Sequence, residues 1–240
     1  MAGVLVRRAA SYGIDAPYVP AGFGVGALSC LIATTLTDGP LPVVLAAALV
    51  LCAVIYLHAT LRGKFATWEQ VLDELRLRGD EQLLDLGCGR GAVLLAAAKR
   101  LSRGGHAVGI DLWRSVDQSG NDIETTRENA AAEGVLDRVQ LRTGDMTGLP
   151  FLDDSFDLVL SSLAIHDIPD ADGRALAIRE AVRVLRPGGR VALADIRFGR
   201  QYAAALTELG MTDVRRHRLG WRMWWSGPWT ATTLVTARKP

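Results

Sequence analysis

Three observations predict an α/β fold, a doubly wound, mostly parallel seven-stranded sheet preceded by two transmembrane helices. From residue 81 onward, short apolar runs alternate with amphipathic stretches, the pattern of strands joined by crossover helices. The first such run, Leu83-Leu84-Asp85-Leu86, passes directly into Gly87-Cys88-Gly89-Arg90-Gly91 and then Ala92-Val93-Leu94-Leu95-Ala96-Ala97-Ala98. That order reads as a buried strand turning tightly into a helix start. Finally, no Asp, Glu, Lys or Arg occurs between Asp15 and Asp38, or between Asp38 and Arg62.

Each uncharged gap slightly exceeds the roughly 20 residues that cross a 30 Å hydrocarbon core, giving expected spans over about 18–37 and 41–61. The second, built on Val43–Leu51 and Ala53–Leu57, is the stronger. Gly22, Gly24 and Gly26 in the first are tolerated in lipid, where helix packing exploits small residues. The alternatives are a pair of buried core helices or a signal peptide, and a signal peptide does not explain the second span. Thr37-Asp38-Gly39-Pro40 makes the turn between the spans. Arg7 and Arg8 precede the spans, Arg62 and Lys64 follow them, and only Asp38 lies between, so both ends are expected in the cytoplasm. Residues 1–64 are thus expected to form a membrane segment, with Met1–Tyr12 a short interfacial helix and Arg62-Gly63-Lys64 a linker. A domain follows over 65–240.

In that domain Thr67-x-x-Gln70 has the form of a capping box opening a helix that ends near Gly79. Strands are expected at 81–86, 106–111, 138–143, 156–162, 190–196, 212–219 and 230–237. Helices are expected at 91–101, 121–133, 172–185 and 201–209. Asn121-x-x-Glu124 is the cap expected for the second of these, and Gly134 its stop.

The hydrophobic fraction of 49% is high for a soluble domain, and the excess lies at the front. A net charge of +1 offers no basic surface for nucleic acid. Three cysteines are too few for a disulfide framework; Cys30 and Cys52 fall within the spans, and Cys88 fills a tight loop position. His58, His106 and His217 suggest no metal set.

A glycine loop of this kind could cradle a pyrophosphate or hold the amino-acid end of S-adenosylmethionine. Asp85, two residues before the first glycine, would meet an ammonium group but repel a pyrophosphate. Gly109-Ile110-Asp111 ends a second strand about 20 residues later, the spacing at which an acidic side chain takes ribose hydroxyls. Gly144-Asp145-Met146 closes a third, where a carboxylate can accept from an adenine amine. Then come Leu149-Pro150-Phe151, Ser155–Leu160 and Val184-Leu185-Arg186-Pro187-Gly188-Gly189-Arg190. Over about Leu83–Ile196 this ordered set resembles the class I S-adenosylmethionine-dependent methyltransferases, especially the ubiquinone and menaquinone methyltransferase branch. The resemblance implies S-adenosylmethionine as donor and S-adenosylhomocysteine as product. It places Asp85, Gly87, Cys88, Gly89 and Gly91 about the methionine portion, Asp111 at the ribose, and Asp145 and Met146 at the adenine. Leu112 and Ser161 are further donor contacts expected on the same rim.

Methyl transfer from a sulfonium is an in-line displacement that the protein mainly positions. A base is needed only where the acceptor must lose a proton. His166 in Ser161–Asp167 is the first candidate base, with Asp167 orienting it or capping the next helix, and Asp117 the second choice. The Asn/Asp-Pro-Pro-Tyr/Phe sequence frequent in methyltransferases of planar nitrogens is absent here. Leu112–Gly120 is longer than a plain turn requires and suits a loop over the donor or acceptor. Trp221, Trp224, Trp225 and Trp229, with Arg222, suit a membrane interface, an apolar acceptor pocket or core packing. The expected protein is a membrane-anchored methyltransferase of a quinone, isoprenoid or lipid on the cytoplasmic side, forming any homo-oligomer through its spans. The alternatives are a methyltransferase of a soluble metabolite or xenobiotic, and a non-catalytic donor-binding regulator of a membrane partner.

Overall fold

The computed structural model describes residues 10–102 and 104–240. Arg7, Arg8 and most of the expected interfacial helix lie outside the described residues, and Ser11 and Tyr12 are not helical. The sheet contains β1 (Gln82–Leu86), β2 (His106–Asp111), β3 (Val139–Thr143), β4 (Phe156–Ser162), β5 (Leu185–Asp195), β6 (Thr212–Arg218) and β7 (Thr233–Arg238). Their order is β3-β2-β1-β4-β5-β7-β6. The first five are parallel, whereas β7 runs antiparallel to both β5 and β6.

Side chains alternate between the two faces of a strand, and β1 shows why the sheet needs cover on both. Leu84 and Leu86 face a core with α6 (Ala171–Val184) and α7 (Gly199–Glu208). Leu83 faces the other core, with α4 (Ala92–Ala98) and α3 (Lys64–Leu75). Asp85 lies within the strand and is almost fully buried. The crossover α5 (Ile123–Ala132) is capped by Asp122, whose carboxylate accepts from the N–H groups of Glu124 and Thr125. This displaces the expected cap by one residue, because Asn121 turns inward towards Asp111. Gly134 stops the helix at φ 71°.

The front of the chain is a helical hairpin of α1 (Tyr18–Ala33) and α2 (Leu41–His58). The second helix does not end in a linker: a π turn, Ala59–Gly63, carries it into α3. Thr67 therefore sits inside a helix, buried, and caps nothing. Gly63 is required at this passage, since a Cβ there would lie 1.8 Å from the Arg222 carbonyl oxygen. Helix α3 ends at Arg76, in the left-handed region at φ 47°, and not near Gly79.

Among the described residues one helix, Leu41–Leu75, is long and apolar enough to cross a membrane, and little of its most apolar stretch is buried. Helix α1 has 16 residues, about 24 Å at 1.5 Å per residue, and falls short of a 30 Å core. The expectation of two spans is corrected to one helix of sufficient length with a shorter apolar helix against it. Both leave large side chains exposed, among them Leu28, Ile32, Val44, Leu51 and Val54. Of the three glycines in α1, only Gly26 approaches α2, opposite Leu49.

Candidate active site

The carboxyl ends of β1, β2 and β4 and the loops that follow them frame a cleft of about 690 Å³. Ligands of open α/β sheets bind at this rim. The cleft is lined by Asp85, Gly87, Cys88, Gly89, Asp111, Leu112, Asp117, Asp145, Met146, His166 and Asp167 together, although they are scattered along the sequence. Gly91 and Ser161 are placed differently. Gly91 is the left-handed residue, φ 86°, that opens α4. Ser161 is buried and donates to the Leu86 carbonyl at 2.9 Å, tying β4 to β1; its neighbour Ser162 lines the cleft and accepts from Trp68 Nε1.

Gly87 and Gly89 have φ of 69° and 49°, a region that penalises a Cβ. Space forbids one as well: it would fall 2.1 Å from Ala164 Cβ at position 87 and 2.7 Å from Gln118 Oε1 at position 89. Asp111 holds the loop, accepting from Gly89 N–H at 2.8 Å and Trp113 N–H at 2.6 Å. Asp145 accepts from the backbone and hydroxyl of Thr147, both at 2.8 Å. Cys88 packs inward near Gly109, and burial first, then the charge of Asp85, pushes its thiol well above the usual range. It is no thiolate nucleophile.

Two buried acceptors in the cleft have no hydrogen-bond partner among the described residues, Asp85 Oδ1 and Asn121 Oδ1. Burial, reinforced by the charge of Asp111, raises the Asp85 carboxyl well above the carboxylate range. A cationic ligand group beside it would restore the charged form. Bare acceptors at these points, over a cradle that excludes Cβ atoms, fit a ligand with an ammonium and donor hydroxyls. That description matches S-adenosylmethionine and not a dinucleotide pyrophosphate.

At the other side of the rim, His166 Nδ1 lies 2.7 Å from Asp195 Oδ1 and Nε2 lies 3.4 Å from Asp167 Oδ1. The His166 N–H and the Tyr202 hydroxyl donate to Asp195 Oδ2, at 3.1 and 3.0 Å. Burial pulls the imidazole pKa down, but Asp195 and Asp167 outweigh it, and the net shift is upward from 6.5. Burial raises the carboxyls of Asp167 and Asp117, partly countered by His166 and Arg114.

Sequence reasoning passed over Asp195, although it ends a strand on the same rim, and that position was the available signal. It also passed over Asp15. This residue accepts from Lys64 Nζ at 2.7 Å, Thr60 Oγ1 at 2.6 Å and Gln118 Nε2 at 2.8 Å. Gln118 Oε1 in turn accepts from Arg90 N–H within the glycine loop, at 2.8 Å. The base of the hairpin is thereby hydrogen-bonded to the cradle. No sequence pattern signals these contacts, because they join residues 49 and 103 positions apart. The loop expected over the donor or acceptor, 112–120, is hydrogen-bonded to the segment before α1, with Ala16 N–H donating to the Asp117 carbonyl and Ser119 N–H to the Ile14 carbonyl.

Residues 84–193 match a family described as a methyltransferase domain. The chain is 34% identical over 130 residues to a demethylmenaquinone methyltransferase of Lactiplantibacillus plantarum, covering 54% of this chain and 51% of that protein. It is 36% identical over 123 residues to the ubiquinone/menaquinone biosynthesis C-methyltransferase UbiE of Roseobacter denitrificans, covering 51% and 45%. It is 41% identical over 124 residues to the nocamycin O-methyltransferase of Saccharothrix syringae, covering 52% and 41%. The chain thus spans about half or less of the length of these relatives. Among solved structures, a SAM-dependent methyltransferase from Aquifex aeolicus superposes with a TM-score of 0.57 at 19% identity, covering 72% of this chain and 89% of that one. Geranyl diphosphate C-methyltransferase from Streptomyces coelicolor, in complex with S-adenosyl-L-homocysteine, does so at 0.58 and 18%, covering 73% and 76%. Residues 84–193 are therefore an S-adenosylmethionine-dependent methyltransferase domain, set in a Rossmann-like fold with a seven-stranded mixed sheet.

Proposed function

We propose that the whole protein is a membrane-associated methyltransferase that acts on a lipid-soluble acceptor, a quinone, isoprenoid or lipid. The observation that carries this reading is the hydrogen-bonded path from the Tyr56 hydroxyl of the apolar hairpin, which donates to the Asp15 carbonyl at 2.8 Å, through the Asp15 carboxylate and Gln118 to the glycine loop. A hairpin serving only as a tether would need no such path. In this reading the hairpin dips into the cytoplasmic membrane, and both its ends and the catalytic domain stay on the cytoplasmic side. Confinement at the bilayer raises the enzyme's effective concentration towards a substrate dissolved there.

S-adenosylmethionine, when bound, supplies an electrophilic methyl group on a sulfonium. Asp85 would face its ammonium, Asp111 and Asn121 its ribose, and Asp145 with Met146 its adenine. The acceptor's oxygen or carbon would form the new bond to the methyl carbon as the sulfonium carbon–sulfur bond breaks and S-adenosylhomocysteine leaves, and the acceptor's proton would pass to the neutral His166 ring that Asp195 orients. A second reading, a small-molecule acceptor outside the bilayer, is supported by the 41% identity to an enzyme named for nocamycin and not for a quinone.

Membranes containing the chain, incubated with methyl-labelled S-adenosylmethionine and extracted with solvent, test the choice. Label in the organic phase, lost in Asp111→Ala, is the expected result. Label confined to the aqueous phase overturns the lipid acceptor.

A further inference from the structure

The cleft has an end that the donor cradle does not account for. Val19, Tyr56, Leu163, Ile196 and Trp225 line it, and the same five side chains form part of one apolar cluster at the base of the hairpin. Val19 belongs to the first turn of α1 and Tyr56 to the last turn of α2, so the hairpin itself supplies two of the walls. Trp225 packs edge-to-face on Tyr56 with ring centroids 5.2 Å apart, and its Nε1 donates to Thr232 Oγ1 at 3.0 Å. Its buried ring is thus fixed in place.

Leu163 reaches this wall from φ 59°, while its N–H donates to the Ala194 carbonyl at 2.9 Å. A left-handed leucine is an unfavourable backbone state that the surroundings must enforce, and such states cluster at ligand sites. The same short loop carries His166, so one bend serves both the apolar wall and the proton-accepting side chain.

Outward, the lining reaches Tyr18, which is 62% exposed. Beyond it lie the exposed apolar turns of α1 and α2. Trp221 stacks on His58 at the end of α2, with centroids 4.9 Å apart, and Trp221 and Trp229 are both exposed. Exposed tryptophans where an apolar helix leaves a domain match the aromatic belt of a membrane–water interface.

We propose that this chamber holds the apolar part of the methyl acceptor, which arrives sideways from the bilayer along the base of the hairpin, polar head first towards His166. The inference rests on the lipid-acceptor reading. It adds the ligand's chemistry: a proton-bearing ring or hydroxyl head joined to an apolar chain, because Val19, Tyr56, Leu163, Ile196 and Trp225 give that end of the cleft an apolar wall.

A photoreactive benzoylphenylalanine placed at Ile196, and in a second protein at Leu163, tests the chamber in the full chain. Vesicles are made from total lipid of cells fed radiolabelled acetate, and retained S-adenosylhomocysteine binding certifies the fold. Irradiation is expected to give labelled adducts at both positions at about tenfold the level of a control at exposed Leu152. Adducts no higher than the control overturn the proposal. Val19→Trp, which fills the chamber without a photoreactive group, is expected to cut organic-phase methylation about tenfold with donor affinity kept. Unchanged methylation in that variant also overturns it. Organic-phase label from the unaltered chain without adducts removes the chamber and leaves the lipid acceptor standing. Adducts without organic-phase label show lipid in the chamber, and they overturn both the acceptor reading and the acceptor role assigned here.

Discussion

Asp195 Oδ1 sits 2.7 Å from His166 Nδ1, and the buried Tyr202 hydroxyl holds the same carboxylate through its other oxygen at 3.0 Å. One strand end thereby fixes the orientation and the charge preference of the candidate base. The ring keeps its proton to a pH above 6.5, so a base mechanism requires that proton to leave. The rate kcat/KM should rise with pH through that raised value. Asp195→Asn should move the rising limb to lower pH and reduce kcat. His166→Ala should reduce kcat by about 10²–10⁴-fold with S-adenosylhomocysteine affinity intact. A pH–rate profile of the three proteins checks this, and full turnover by His166→Ala removes the base role. The same raised pKa makes the His166 contribution to stability complete below 6.5 and lost as pH rises through the folded value.

Asp85 shows a conflict between stability and binding. Its carboxyl is raised by burial, so the stability it contributes is present below the unfolded value near 3.8 and is lost as pH rises through the folded one. Asp85→Asn should therefore raise the thermal midpoint of the ligand-free protein at neutral pH. It should also weaken donor affinity about tenfold or more. Thermal melts and calorimetric titration with S-adenosylmethionine measure the two effects separately.

Gly87→Ala should abolish donor binding. The added methyl meets Ala164 Cβ at 2.1 Å from a backbone at φ 69°, so the loop must move, at about 1–3 kcal/mol for the conformation alone. Gly134→Ala has a similar φ of 71° but open space around it and should lower stability by a smaller amount while keeping donor affinity. Titration of both variants with S-adenosylhomocysteine distinguishes a cradle from a turn.

The Asp15–Lys64 pair is nearly buried, with side-chain exposures of 20% and 5%. Asp15→Ala leaves a cation without its partner and should destabilise the protein by about 3–5 kcal/mol. It should also loosen the glycine loop through Gln118. Adding Lys64→Met should recover most of the stability but not the donor affinity, because the contact to Gln118 stays lost. A double-mutant cycle read by melting and by donor binding shows whether the two losses separate.

The parallel core was legible because β1, β2, β4 and β5 carry apolar residues on both faces, and glycines at the ends of β1 and α5 marked where each turns. The predicted 106–111 and 156–162 coincide with β2 and β4. Boundaries failed where tertiary packing overrode a local signal. Thr67 has the form of a cap but lies within a helix already begun at Lys64, and Asn121 yields the cap to Asp122 because its amide reaches Asp111. In the site, residues announced by glycine spacing and strand ends were readable. Asp15 and Gln118 were not, since their roles exist only once the hairpin base crosses the rim. Trp225 resolved into the hairpin-base core and the cleft wall together, whereas Trp221 and Trp229 stayed exposed.

Surface-dilution kinetics in vesicles of the cells' own lipid extract test the central claim most directly. Adding inert phospholipid to the vesicles lowers the acceptor's mole fraction in the bilayer, whereas adding buffer lowers only its bulk concentration. If the acceptor arrives from the bilayer, the initial rate of methyl transfer falls with mole fraction and is unchanged by buffer. A rate that follows bulk concentration and ignores mole fraction contradicts the account.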